Sequence, residues 1–202
     1  MATDHYFSAD PASEHRTTTR TLTLLGREVS VTTASGTFSP QGLDSGTAVL
    51  LKYAPPPPPT GMFLDIGCGW GPLALALALA SPESKVWGVD VNERALNTAR
   101  ENAQNLGLAN VTLAIPDQVP EDLLFDLIWS NPPIRVGKAA LHEIVMTWLR
   151  RLTPTGEAYL VVAKKLGSDS LMDWINSDAL PGHVATRVET SKGYRVIRVT
   201  WA

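Results

Sequence analysis

Phe63-Leu64-Asp65-Ile66-Gly67-Cys68-Gly69-Trp70-Gly71 is a short apolar run that breaks into three glycines at alternate positions and passes at once into Leu/Ala-rich sequence. The pattern predicts a buried strand turning sharply into a helix. Glycine tolerates positive φ and lets a ligand approach the main chain, and the N–H groups at a helix start are expected to face that ligand. A nucleotide-like cofactor is the natural occupant, the alternative being a plain tight turn between strand and helix. A dinucleotide fingerprint needs Gly-x-Gly-x-x-Gly, and after Gly67 and Gly69 the last required position holds Pro72. No Gly-x-x-x-x-Gly-Lys-Ser/Thr occurs, which disfavours cradling of a nucleoside triphosphate.

The 202 residues, 44% of them hydrophobic, suit a single domain with an ample core. We divide it into an N-terminal preamble (1–60) and a cofactor-binding core (61–202). Met1-Ala2-Thr3-Asp4-His5 shows no basic or apolar leader region, and no apolar run is long enough to span a bilayer, so a cytoplasmic protein is expected. One cysteine, Cys68, excludes an intramolecular disulfide, and the four histidines lack metal-ligand spacing, so no metal is expected. The net charge of −3 is uneven: residues 61–131 carry three Lys/Arg against nine Asp/Glu, residues 132–202 ten against six. A polyanion would meet the second half; ordinary solvated surface is the other reading.

Within the preamble, Thr17 to Leu25, Gly26-Arg27 and Glu28 to Thr33 read as a β-hairpin. Ser39-Pro40 reads as the N-cap and first position of a helix through Leu43, Val49, Leu50 and Leu51, ending before Pro55. Pro55 to Pro59 then form an extended connector, better read as a spacer than as an SH3-type ligand. From residue 61 strands and helices alternate, the signature of a parallel sheet covered by helices. Leu73 to Ala80 has a period of two, yet leucine and alanine favour a helix, as the glycine turn requires. Lys85–Val91, Val111–Ile115, Phe125–Ser130 and Ala158–Ala163 read as further strands, with helices at Glu93–Leu106, closed by Gly107, and Ala139–Leu152. His183 to Thr190 and Tyr194 to Trp201 read as an antiparallel hairpin at the sheet's edge.

Asp90 ends the second core strand nineteen residues after Gly71, with Asn92 two residues on. A carboxylate there can accept both hydroxyls of a ribose, because strand ends surround a nucleotide at a switch point; alternatively it caps the following helix. Asn131-Pro132-Pro133-Ile134 follows the next core strand but one. A planar amine is a poor nucleophile because its lone pair is delocalised. The Asn131 side-chain oxygen and the Pro132 carbonyl can accept its two N–H bonds and aim the lone pair at an electrophilic carbon, in an in-line displacement driven by orientation. Alone, Asn-Pro-Pro is also a common strand-ending turn.

Asp65-x-Gly67-x-Gly69-x-Gly71 resembles the first motif of class I S-adenosylmethionine (SAM) methyltransferases. Joined with Val89-Asp90-Val91-Asn92-Glu93-Arg94-Ala95, Asn131 to Lys138 and Lys192-Gly193-Tyr194-Arg195-Val196, it resembles the RsmC-type family of ribosomal RNA guanine-N2 methyltransferases. His5-Tyr6-Phe7-Ser8, Gly36-Thr37-Phe38-Ser39 and Leu43-Asp44-Ser45-Gly46-Thr47 are similar to segments that close over the cofactor in that family. The resemblance implies an α/β class I methyltransferase (Rossmann-like) fold: a seven-stranded, mostly parallel sheet with an antiparallel final hairpin, behind the hairpin-and-helix preamble. It implies SAM as cofactor, held by Asp65, Gly67, Gly69, Gly71, Asp90 and Asn92, with Asp117 at the adenine and Phe38 and Thr47 on the methionine side. It further implies Asn131, Pro132, Pro133 and Ile134 as the catalytic loop and RNA, ribosomal or subunit-bound, as partner. Two departures stand out: larger members carry an additional N-terminal domain, and Ile134 replaces the aromatic residue with which adenine-directed enzymes stack a base. Arg135, Lys138, Lys164, Lys165, Arg195 and Arg198 are candidate phosphate contacts or plain surface. The same chemistry on a protein glutamine or a small-molecule amine, and a SAM-binding module without turnover, are the alternatives.

Overall fold

The computed structural model describes residues 16–37, 39–133, 137–177 and 179–202. Strands β1 (Thr17–Leu24) and β2 (Arg27–Ala34) pair antiparallel around Leu25 and Gly26, both at positive φ (46° and 81°), the two-residue turn that matches the twist of a hairpin. Helix α1 (Ser45–Tyr53) corrects the sequence expectation at its start. Asp44 is the N-cap, its carboxylate accepting from the backbone of Gly46 and Thr47, while Ser39 stands apart at φ 50°. Asp and Ser cap almost equally well, so local preference does not separate the two.

The core then alternates strand and helix: β3 (Met62–Ile66), α2 (Pro72–Ala80), β4 (Lys85–Val89), α3 (Glu93–Asn105), β5 (Val111–Ala114), β6 (Phe125–Ser130), α4 (Lys138–Leu149) and β7 (Leu152–Ala163), the last starting six residues before the expected Ala158, so that Leu152 opens the strand instead of ending the helix. Helix α5 (Ser168–Ile175), absent from the sequence reading, precedes β8 (His183–Ser191) and β9 (Tyr194–Trp201). The seven-stranded sheet has the order β5-β4-β3-β6-β7-β9-β8. Its first five strands are parallel, and β9 runs antiparallel to both β7 and β8. The final hairpin thus inserts its last strand inward and leaves β8 at the edge.

The Leu/Ala run is a helix because both of its sides are covered. Leu73, Ala74, Leu77 and Ala78 pack on the sheet side against Phe63, Trp129 and Tyr159; Leu75 and Ala76 meet Leu24, Val29, Val31 and Trp70 beneath the preamble hairpin. A helix apolar all round is a buried helix. Fully buried Asn102 of α3 locks the hairpin down: its Nδ2 donates to the carbonyls of Thr32 (2.9 Å) and Trp70 (3.1 Å), and its Oδ1 accepts from Thr32 N–H (2.6 Å). The order of strands reverses at β3, with β4 on one flank and β6 on the other. That reversal opens a crevice at their C-terminal ends.

Candidate active site

At the end of β3, Gly67, Gly69 and Gly71 all take positive φ (69°, 55° and 95°). Gly71 is the N-cap of α2, and a Cβ there would sit 3.2 Å from Ala99 Cβ, so the glycine also sets how closely α2 and α3 approach. The loop's N–H groups differ from the expectation. Gly67 and Cys68 donate to the Val89 carbonyl (2.8 and 2.9 Å), Gly69 to Asp90 Oδ2 (2.8 Å) and Gly71 to the Cys68 carbonyl (2.9 Å). The first three hold the loop against the end of β4 and the fourth closes a turn within the loop, so none of them faces outward.

Polar demand comes from Asp65. It is 1% exposed, and its Oδ2 accepts from Ala74 N–H at 2.9 Å while its Oδ1 is buried without a partner. Burial pushes its carboxyl up to about 8; the bond from Ala74 opposes the rise and the Asp90 carboxylate adds to it. Asp65 lines a solvent-open pocket with Thr47, Gly67, Gly69, Trp70 and Asn131. Asp90 stands behind the loop, its Oδ1 accepting from Asn92 N–H (2.9 Å), and burial raises its carboxyl too. The helix cap belongs to Asn92, whose Oδ1 accepts from Ala95 N–H (3.2 Å) and whose Nδ2 donates to the Gly36 carbonyl (3.0 Å). Asn92 therefore ties the segment after β2 to the start of α3. Asp117 is exposed in a short 3-10 turn after β5.

On the opposite flank Ser130 Oγ donates to the Ile66 carbonyl (2.8 Å), fastening β6 to β3 just ahead of Asn131. Pro133 is close enough that a Cβ on Gly67 would lie 3.5 Å from its Cδ, so the two loops meet. Asn131 Nδ2 donates to Asp44 Oδ2 (2.9 Å) and Thr47 Oγ1 (3.1 Å). Tyr194, opening β9, closes over Gly46 in the same corner; burial, then the Asp44 carboxylate, raises its phenol. Asp44, Ser130 and Tyr194 had no part in the sequence-based site. Of the predicted residues, the cavity brings together Thr47, Asp65, Gly67, Gly69 and Asn131. Phe38, Ile134 and Arg135 lie outside the described residues.

The family model "Methyltransferase small domain" matches residues 28–198. The chain belongs to this family. It is 33% identical over 198 residues to the uncharacterized protein YbxB of Bacillus subtilis, covering 96% of this chain and 97% of that one. It is also 33% identical over 149 residues to ribosomal RNA small subunit methyltransferase C of Klebsiella pneumoniae, covering 72% of this chain but 43% of the relative. The chain thus spans nearly all of the first relative and less than half of the second. Among solved structures, the Thermus thermophilus 16S rRNA N2 G1207 methyltransferase (RsmC), in complex with AdoMet and guanosine, superposes with a TM-score of 0.76 at 21% identity, over 96% of this chain and 53% of that one. The fold is the class I methyltransferase fold, and the superposed Thermus structure holds AdoMet. This chain's residues fit that cofactor. The orphaned, buried Asp65 Oδ1 in the cavity wall needs a donor, and an amino acid's ammonium group provides one.

Proposed function

We propose that the protein transfers a methyl group to an exocyclic amine, the N2 of a guanine in small-subunit ribosomal RNA. The observation that carries the reading is the orientation of Asn131. Its NH2 group is held by Asp44 and Thr47, and its Oδ1 has no hydrogen-bond partner among the described residues. An acceptor oxygen beside the cofactor cavity is what a planar amine requires: it takes one N–H, the Pro132 carbonyl takes the other, and the nitrogen lone pair turns towards the cavity.

Asp65 Oδ1 would accept from the ammonium group of SAM, and Asp90, beyond the bonds it takes from Gly69 and Asn92, would have lone pairs left for ribose hydroxyls. Bound SAM supplies a methyl group on positively charged sulfur. The amine's surplus proton leaves to solvent, with no described residue needed as a strong base.

Support for RNA as substrate comes from the relatives' names and from the placing of charge. Lys164 and Lys165 follow β7, Lys192 lies in the β8–β9 turn, and Lys138 opens α4, all at the sheet end that carries Asn131. Arg195, near this end, is engaged with Asp169, and Arg198, further down the sheet, with Glu157, so neither reaches out from the rim. The test is labelling of small-subunit RNA with tritiated SAM and nucleoside analysis. Wild type yields N2-methylguanosine; Asn131→Ala loses about 10²–10³-fold in kcat, the scale of one deleted positioning group, while SAM affinity stays within about threefold. Label in protein or small amines alone, or an active Asn131→Ala, overturns the reading.

A further inference from the structure

We propose that Asp44 is the positioning residue for the Asn131 carboxamide, an inference that rests on the methyl-transfer reading above. A carboxamide's two ends have nearly the same shape, so packing alone does not decide which way it faces. Its partners decide here. Asp44 Oδ2 accepts from Gly46 N–H (2.7 Å) and Thr47 N–H (3.4 Å) and, from 87 positions away, from Asn131 Nδ2 (2.9 Å). An ionised carboxylate only accepts, so the reversed amide would press oxygen against oxygen at that distance. The NH2 group must face Asp44, and Oδ1 is thereby turned to the substrate.

The charge has a second effect. An N–H bonded to an anion polarises its amide, and the oxygen at the other end becomes a stronger acceptor. Positive charge grows on the attacked amine as the new N–C bond forms, so a stronger acceptor on its N–H stabilises the transition state more than the ground state. Asp44 itself is held rigidly: it caps α1, where the positive end of the helix favours an anion. Space at this node is exhausted. A Cβ on Gly46 would lie 2.9 Å from Asp44 Oδ2, 3.2 Å from Asn131 Nδ2 and 3.0 Å from Tyr194 Cε1.

Asp44→Ser and Asp44→Asn separate positioning from capping, because Ser, Asn and Asp cap helices about equally well. The Asn variant presents a neutral oxygen to Asn131; the shorter Ser hydroxyl caps α1 without reaching it. Expected kcat relative to wild type is about threefold to tenfold lower for Asn and about 10- to 100-fold lower for Ser, with both melting temperatures within about 3 °C of wild type and KM for SAM within about threefold. A second readout is independent of turnover. The Asn131 side-chain NH2 pair, identified in 1H–15N spectra by its loss in Asn131→Ala, should exchange slowly with solvent in wild type and lose that protection in Asp44→Ser. A Ser variant with wild-type kcat, or with an unchanged Asn131 signal, overturns the inference. A wild type that transfers no methyl group while its Asn131 signal depends on Asp44 refutes the proposed function alone and supports the positioning.

Discussion

Replacing Asp65 with asparagine exchanges a buried acid for a neutral side chain of the same shape. In the cofactor-free protein Asp65 carries one bond, from Ala74, and one orphaned oxygen, and its carboxyl rises from 3.8 to about 8. The folded state therefore holds a proton that the unfolded state releases between about pH 4 and pH 8. Stability is fully present below the unfolded value and is lost as the pH climbs through that window. At about 1.4 kcal/mol per pH unit the accumulated loss at pH 7 reaches at most about 4 kcal/mol, a large share of what holds a domain of this size together. Asparagine keeps the acceptor for Ala74 and has no proton to lose. Urea unfolding from pH 5 to 8.5 should show the wild type falling with pH more steeply than Asp65→Asn, in which only the raised Asp90 carboxyl still contributes, the two closest at pH 5 and the variant ahead by a few kcal/mol at pH 8. Titration with SAM should show the reverse preference, the variant binding at least about tenfold more weakly for want of a charged acceptor. Parallel pH curves, or an asparagine variant less stable than wild type at pH 8, would refute the account of Asp65 as an acid held unpaired for a cofactor.

Gly46→Ala adds a methyl where Asp44, Asn131 and Tyr194 converge, and should lower kcat at least about tenfold while changing the melting temperature by no more than about 4 °C, since alanine is the better helix former. Unaltered turnover would show that this corner gives way easily. Asn102→Ala strands the Thr32 N–H and two buried carbonyls, and should cost about 3–5 kcal/mol in denaturant unfolding, with earlier proteolytic cutting of the β1–β2 hairpin than of the sheet. A loss below about 1 kcal/mol would mean that water replaces the amide.

What could be read from sequence was whatever one contiguous stretch determines. The glycine loop needs positive φ at fixed spacing, so the chain order of β3, loop and α2 was legible, as was the Leu/Ala helix once its propensity outweighed its period. The hairpin and the Asn-Pro-Pro stop after β6 were visible for the same reason, though the turn was read at Gly26-Arg27, one residue later than the Leu25-Gly26 turn that forms. Helix α5 was not, for it is only eight residues long and depends on packing Leu171 and Ile175 against the sheet. The start of α1 was misjudged because two short polar residues offered equal caps. The inward position of β9 follows from strand pairing across the whole tail, which no local pattern specifies. Asp44 was quoted within a motif yet given no role, since its bond to Asn131 crosses 87 positions. The direction of the loop's N–H groups depends on Val89 and Asp90 reaching back from β4, again a matter of distant partners.

The Pro55–Pro59 run divides the chain between the group proposed to orient the carboxamide and the glycine loop, Asp90 and Asn-Pro-Pro loop. A fragment opening at Gly61 would keep the glycines, Asp90 and the Asn-Pro-Pro loop, and on paper it would look whole. Its amide would be free to spin, so the stretch upstream of the prolines is part of the tool and not its handle.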